Sequence, residues 1–270
     1  MRPISLAHLT VIGLAPPEMI RLAAATGYDA VGLRLLRVTD TSPGYPLHED
    51  PAMLRETRAA LDETGIAVQD IEFLRLTPAF DPQAMEPMLQ AGAALGARHV
   101  ICAPYDPDLS RMSDNLAALA ALSAPLGIAP VLEFFPWTVL PGLRDAASVV
   151  EATGRDDVGL LVDALHFDRS GSLLADLAAL PAHRLPFLHL CDAPVAPPYT
   201  ESQLLFAGRE ERLPPGAGQI DLAAILRHAP PLVPVALEVP MTAATRAHGP
   251  AHVAALALAG ARRVLARVGG

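Results

Sequence analysis

Short apolar runs recur along the chain. They are separated by longer stretches in which apolar positions return every three or four residues. The short runs read as strands near 4–8 (ISLAH), 29–35 (DAVGLRL), 67–74 (AVQDIEFL), 98–103 (RHVICA), 129–134 (APVLEF), 158–163 (VGLLVD), 185–191 (LPFLHLC) and 233–239 (VPVALEV). The Ala/Leu-rich stretches between them read as helices near 16–26, 50–64, 82–95, 108–124, 142–152, 171–179, 219–228 and 243–267. Pro16-Pro17 and Asp81-Pro82 mark helix starts. Gly27, Gly65, Gly96 and Gly127 stand where helices stop. The segments ATGYDAVGL, ETGIAVQDI, ALGARHVIC and PLGIAPVLE repeat one phrase: helix, glycine, strand.

Alternation of this kind predicts parallel strands joined by right-handed crossovers. The expected fold is α/β, a closed (β/α)8 TIM barrel forming a single domain over 1–270, a length close to the usual ~250 residues. A doubly wound open sheet would want a G-x-G-x-x-G turn after the first strand, and the chain has none there. One segment breaks the short-loop rule. Residues 193–218, after the seventh strand, carry five prolines and no clear period. Such a loop on the catalytic face of a barrel suggests a lid.

Four polar groups share a position in this layout. Glu133 ends strand five in VLEFFP and Asp163 ends strand six in LLVDALH. His189 lies in strand seven in FLHLCD, and Glu238 ends strand eight in ALEVP. A barrel aims strand-end side chains at one mouth. Three carboxylates and an imidazole gathered there repel unless a cation neutralises them. The oxygen-rich donor set favours one divalent metal such as Mn2+, Mg2+ or Co2+, with Zn2+ also admissible. His166, three residues after Asp163, is expected on a substrate oxygen rather than on the metal.

Strand-end E…D-x-x-H…H…E at barrel spacing, with VDALHFDRSG, LHLCDAP and LPPGAGQIDLAAIL, resembles the sugar phosphate isomerase/epimerase superfamily, the xylose isomerase-like TIM barrels. The resemblance is specific in the C-terminal half and covers the N-terminal half mainly in layout. It implies Glu133, Asp163, His189 and Glu238 as ligands of one divalent metal, with His166 on the substrate. It also implies an isomerase or epimerase that moves a proton next to a carbonyl through an enediolate, with Glu133 and Glu238 as the two bases. A lyase or dehydratase of the same fold, acting on a 3-oxo or cyclic hydroxy acid, is the alternative, and a non-catalytic ligand-binding barrel is the second. Sugar 3-epimerases carry an arginine six residues after the strand-seven histidine. Here that place is Val195, and Ala217 stands where the family's glycine-rich segment has an acid. Arg209 and Arg212 in the long loop are the available substitutes for contacting substrate.

The N-terminal half offers His8 and Glu72 as further pocket residues, with Arg34 and Arg75 either lining the pocket or pairing with Glu72. Trp137, the only tryptophan, stands beside Glu133, either as an apolar wall over the substrate or packed on the adjacent helix. Phe134 and Phe135 are assigned to the core.

Composition narrows the partners. The formal charge of −9 argues against a nucleic-acid or anionic-membrane surface, and an endonuclease IV-like reading fails with it. No apolar run reaches the 18 residues of a membrane span, and the N-terminus lacks signal-peptide character. These features predict a soluble cytoplasmic protein with a small-molecule substrate, and the apolar helices would permit a homodimer. All 20 basic residues are arginine, which excludes Schiff-base chemistry and a P-loop, since both need lysine. Cys102 and Cys191 lie in apolar runs outside any C-x-x-C pair and are expected to be buried, inert thiols.

Overall fold

The computed structural model describes residues 2–38 and 42–268. Residues 1, 39–41, 269 and 270 of the expected 1–270 domain lie outside the described residues. The strands are β1 (Ile4–Leu6), β2 (Ala30–Arg34), β3 (Ala67–Leu76), β4 (His99–Pro104), β5 (Ala129–Glu133), β6 (Gly159–Asp163), β7 (Leu188–Leu190) and β8 (Val235–Leu237). All pair in parallel and close in sequence order, β1 meeting both β2 and β8. The molecule is the single-domain (β/α)8 barrel that the alternation predicts.

Around the barrel run α1 (Pro16–Thr26), α2 (Pro51–Thr64), α3 (Glu86–Ala94), α4 (Leu109–Ser123), α5 (Leu143–Ala152), α6 (Ala164–Arg169), α7 (Leu174–Ala179), α8 (Glu201–Arg209), α9 (Leu222–His228), α10 (Thr242–His248) and α11 (Pro250–Val268). Local chemistry sets several ends. Asp50, Asp108 and Asp221 accept hydrogen bonds from the first-turn N–H groups of α2, α4 and α9. Gly27 and Gly65 close α1 and α2 at φ of 95° and 71°, a region costly for any residue with a Cβ.

A period of two runs from the floor of the barrel to its mouth. Side chains two apart on a strand share a face. Val131, Leu161, Phe187 and Ala236 each stand two residues before Glu133, Asp163, His189 and Glu238. With Ile101 they form a separate apolar cluster, fully buried. The four polar groups therefore sit on a dry plug.

Three features differ from the sequence expectation. The 193–218 segment is not one long loop, because α8 lies inside it. Thr200 caps that helix by accepting from Gln203 N–H, and the Gln203 side chain reaches back to Thr200 N–H at 2.8 Å. The prolines hide this signature, but T-E-S-Q is a capping-box pattern. The expected helix at 243–267 is two helices, broken at Gly249 (φ 84°) and Pro250. The short α6 was also not expected. It starts from Asp163, whose Oδ1 accepts from Leu165 N–H at 2.7 Å.

Candidate active site

The strand ends bring Glu133, Asp163, His189 and Glu238 together. One donor atom from each lies within 4.8 Å of all the others, and all four side chains are buried. Asp163 and His189 are direct register partners across β6 and β7. His189 Nδ1 stands 3.9 Å from Glu133 Oε1, 3.8 Å from Asp163 Oδ2 and 3.7 Å from Glu238 Oε2. These separations are too long for hydrogen bonds. They suit a shared ion, since two ligands each about 2.1 Å from a metal stand at most about 4.2 Å apart. His189 Nδ1 and Glu133 Oε1 are buried without a hydrogen-bond partner. Oxygen and imidazole donors, orphaned and converging, fit a divalent cation.

Arg212, on the return from α8, is buried with them. Its Nη1 donates to Asp163 Oδ2 at 2.6 Å and its Nη2 to Glu238 Oε2 at 2.7 Å. The same two nitrogens donate to the carbonyls of Glu238 and Gly208, both at 3.0 Å. The guanidinium thus supplies one positive charge to the cluster and fixes two carboxylates. A carboxylate oxygen has lone pairs enough to accept this bond and still face a metal.

These charges set the protonation states. Burial would raise the Glu238 carboxyl, but Arg212 and His189 outweigh it and hold Glu238 below the usual carboxylate range. Glu133 is pushed well above that range, chiefly by burial, with the neighbouring acids adding to it. Burial opposes a proton on His189, yet Glu238, Glu133 and Asp163 raise it to about 10. His166 is lowered to about 4 by burial and is neutral at pH 7.

His166 sits on α6 with Nε2 4.0 Å from Glu133 Oε1, and its Nδ1 has no partner. Its ring is met edge-on by Phe135 at 4.8 Å and by Trp137 at 5.1 Å. Above this group opens a cavity of about 660 Å3, lined by Glu133, His166, Arg212 and Glu238 at its base. Trp137 and Arg209 line it too. Phe135, expected in the core, is buried but forms a cavity wall. Gly208 of α8 presses on Trp137, since a Cβ there would lie 2.8 Å from Trp137 Cη2.

Two expected pocket residues stand apart from the cavity lining. His8 is fully buried, its Nδ1 accepting from Arg34 N–H at 2.8 Å and its Nε2 bonding Leu14 O at 3.0 Å. Both ring nitrogens are engaged by backbone, and burial lowers its pKa to about 4. Glu72 pairs with Arg34 at 3.1 Å rather than with Arg75, and it is Arg34 that reaches the cavity wall. Cys102 and Cys191 are buried and unpaired, as expected.

Sequence reasoning missed Phe73, Tyr105, Met241 and Arg246, all of which line the cavity. Phe73 lies inside β3, Tyr105 and Met241 follow β4 and β8, and Arg246 is on α10, places where a lone apolar or basic residue carries no pattern of its own. It also passed over Asp192. This buried carboxylate accepts from the N–H groups of Ala193, Gly216 and Ile220 at 2.8, 2.9 and 3.0 Å, holding the PPGAGQI loop beside the site.

Comparison with known proteins agrees with this architecture. Residues 20–230 match the family model of the xylose isomerase-like TIM barrel. Over 149 residues the chain is 30% identical to an inosose isomerase of Halalkalibacterium halodurans, a match covering 52% of this chain and 51% of that protein. The chain thus spans about half the length of the curated relatives it matches. The crystal structure of IolI protein with a binding zinc atom superposes with a TM-score of 0.81, at 20% identity, over 99% of each chain. A D-allulose 3-epimerase from Methylomonas sp. does so with a TM-score of 0.70, at 16% identity, over 97% of this chain and 98% of that one. At these identities the solved structures speak for the shared fold. Among the described residues, no helix is long and apolar enough to cross a membrane.

Proposed function

The chain belongs to the xylose isomerase-like TIM barrel family, and from that premise we propose that it is a divalent-metal-dependent isomerase or epimerase of a small hydroxy-carbonyl compound, acting through an enediolate. The observation that carries this reading is the convergence of Glu133, Asp163, His189 and Glu238 on one point at the base of the cavity. The inosose isomerases among its relatives support it. A bound divalent ion supplies Lewis acidity toward a carbonyl and its neighbouring hydroxyl.

The residues divide the remaining work. Glu133, at the cavity base, would be ionised by a bound cation and would then take the proton from the carbon beside the carbonyl. Glu238, kept ionised by Arg212, stands on another strand and serves as the second base, which inversion needs and aldose–ketose transfer does not. His166 is neutral at pH 7 and lines the cavity base beside Glu133, within reach of substrate oxygens. Phe135 and Trp137 exclude water from one side of the cavity.

The test begins with metal content, measured by mass spectrometry on protein purified without chelator or metal-affinity tag. The parent is expected to hold about one divalent ion per chain, and Asp163→Asn, which keeps the side chain's shape, roughly a tenth of that or less. The loaded parent should exchange a substrate C–H for deuterium in D2O when given an inosose or a ketose. Glu133→Gln should slow that exchange by roughly 100-fold or more. A parent that binds no divalent ion even after loading would sink the proposal.

A further inference from the structure

Among the described residues, the rim of the cavity carries a charge opposite to that of the chain, whose formal net charge is −9. The charged groups around the cavity fall into three sets. In the first, the carboxylates of Glu133, Asp163 and Glu238 are offset in part by the Arg212 guanidinium, and the two charges of a bound divalent ion would complete the balance. In the second, Arg34 and Glu72 neutralise each other. The third lies at the rim, where Arg209, Arg246 and one carboxylate, Glu210, are the charged groups among the described lining residues. Glu210 already accepts from the Thr242 hydroxyl at 3.0 Å. Among the described residues, Arg209 and Arg246 have no hydrogen-bond or ion-pair partner, and both are exposed.

The backbone brings these two arginines to one place. Thr242 N–H donates to Glu210 O at 3.0 Å, Ala243 N–H to Glu211 Oε1 at 2.8 Å, and Arg212 N–H to Pro240 O at 2.7 Å. This stitch ties the residue after Arg209 to the first turn of α10. Arg246 follows Thr242 by four residues and so shares its helix face.

We propose that the substrate carries one anionic group, a carboxylate or a phosphate, bound by Arg209 and Arg246 while its hydroxy-carbonyl end faces the four metal-ligating residues. This rests on the metal-dependent reading above and adds the charge class of the substrate. A planar guanidinium matches either anion with paired N–H donors. Neither arginine has to release an internal carboxylate to do so. A positive rim on an acidic molecule also draws anions toward the cavity over about a Debye length.

Three probes of similar size separate the possibilities: neutral dihydroxyacetone, dihydroxyacetone phosphate and hydroxypyruvate. Their affinity for Mn2+-loaded protein is measured by titration calorimetry, in the parent and in the Arg209→Gln/Arg246→Gln variant. At least one anion is expected to bind roughly tenfold or more tightly than dihydroxyacetone. That preference should shrink to under about threefold in the double variant and weaken with added salt, while dihydroxyacetone binding stays constant. Whichever anion gains identifies carboxylate or phosphate. The proposal is overturned if neither anion binds better than dihydroxyacetone, if neither binds at all, or if the preference survives in the double variant. Both side chains are exposed, and an unchanged melting temperature would confirm that the variant folds. Deuterium exchange on the same probes separates the two readings. Exchange without anion preference defeats this inference alone, while anion preference without exchange defeats the enzymatic reading and leaves the anion site standing.

Discussion

At the scale of single residues, the site depends on two close approaches that only glycine permits. Gly208 is the penultimate residue of α8, and within a helix alanine ordinarily stabilises over glycine by up to about 1 kcal/mol. Its missing Cβ faces Trp137 Cη2 at 2.8 Å, and the indole is held by Phe135 and His166. Gly208→Ala is therefore expected to lower the melting temperature, to slow deuterium exchange several-fold, and to shift the emission of the only tryptophan. A stabilised variant would mean that α8 does not seat on Trp137. Gly32 makes room in the same way for Asp70, whose Oδ2 would lie 2.4 Å from a Cβ there. Asp70 is buried with neither oxygen hydrogen-bonded, and burial, with Glu72 adding to it, raises its pKa to about 7. Between about pH 4 and 7 the native state thus keeps a proton that the unfolded chain has released. Stability from this group falls as pH rises through that window, by up to about 1.4 kcal/mol per pH unit. Asp70→Asn removes the ionisation and should gain stability over the parent as pH rises from 4 to 7, read as the difference in urea midpoints. A difference that is flat with pH would show that Asp70 ionises freely.

At the scale of elements, the long passage from β7 to α9 decides the shape of the mouth. Asp192 is its anchor, with three backbone N–H groups on one buried carboxylate. Hydrogen bonds to a charged group are each worth about 1.5–3 kcal/mol, and burying their donors unpaired costs more. Asp192→Ala is therefore expected to destabilise the fold by roughly 3 kcal/mol or more. It should also accelerate amide exchange at Gly216 and Ile220 ahead of the strands, measured by hydrogen-exchange mass spectrometry. This passage is also where the sequence was hardest to read. The strands were legible because β5 and β6 are continuous apolar runs ending in a bare acid, and Glu133 and Asp163 stood out for that reason. In α8 the five prolines of the segment swamp a helical pattern only nine residues long, leaving the Thr200–Gln203 box as the sole local sign. His8 misled in the opposite direction. It ends an apolar run as a ligand would, yet tertiary contacts with Arg34 and Leu14 engage both its nitrogens.

At the scale of the whole molecule, four adjacent strands of a closed barrel each deliver one polar group to a single buried point above an apolar plug. Such a cluster opposes closure of the barrel unless its charge is met. In the metal-free protein Arg212, a protonated His189 and a protonated Glu133 meet it, and the imidazole must then hold a proton in a site that favours the neutral ring by burial. A divalent ion adds two charges at the centre of the four donors and binds only the folded chain, since the ligands lie 105 residues apart from first to last. Binding is therefore linked to folding of the whole barrel, not to one element. At a metal concentration about 1,000 times the dissociation constant, the linkage is worth about 4 kcal/mol. The expected result is a melting temperature on the order of 10 °C higher for the Mn2+-loaded protein than for the same protein after chelation. The rise should grow with the logarithm of metal concentration. His189→Ala should abolish it without unfolding the protein, because removing the imidazole leaves Arg212 in place between Asp163 and Glu238. Differential scanning calorimetry of both proteins decides the matter. If chelation leaves the parent's transition where it was, the four strand-end residues act as an internal polar network braced by Arg212, and the cavity above them binds its ligand without a metal.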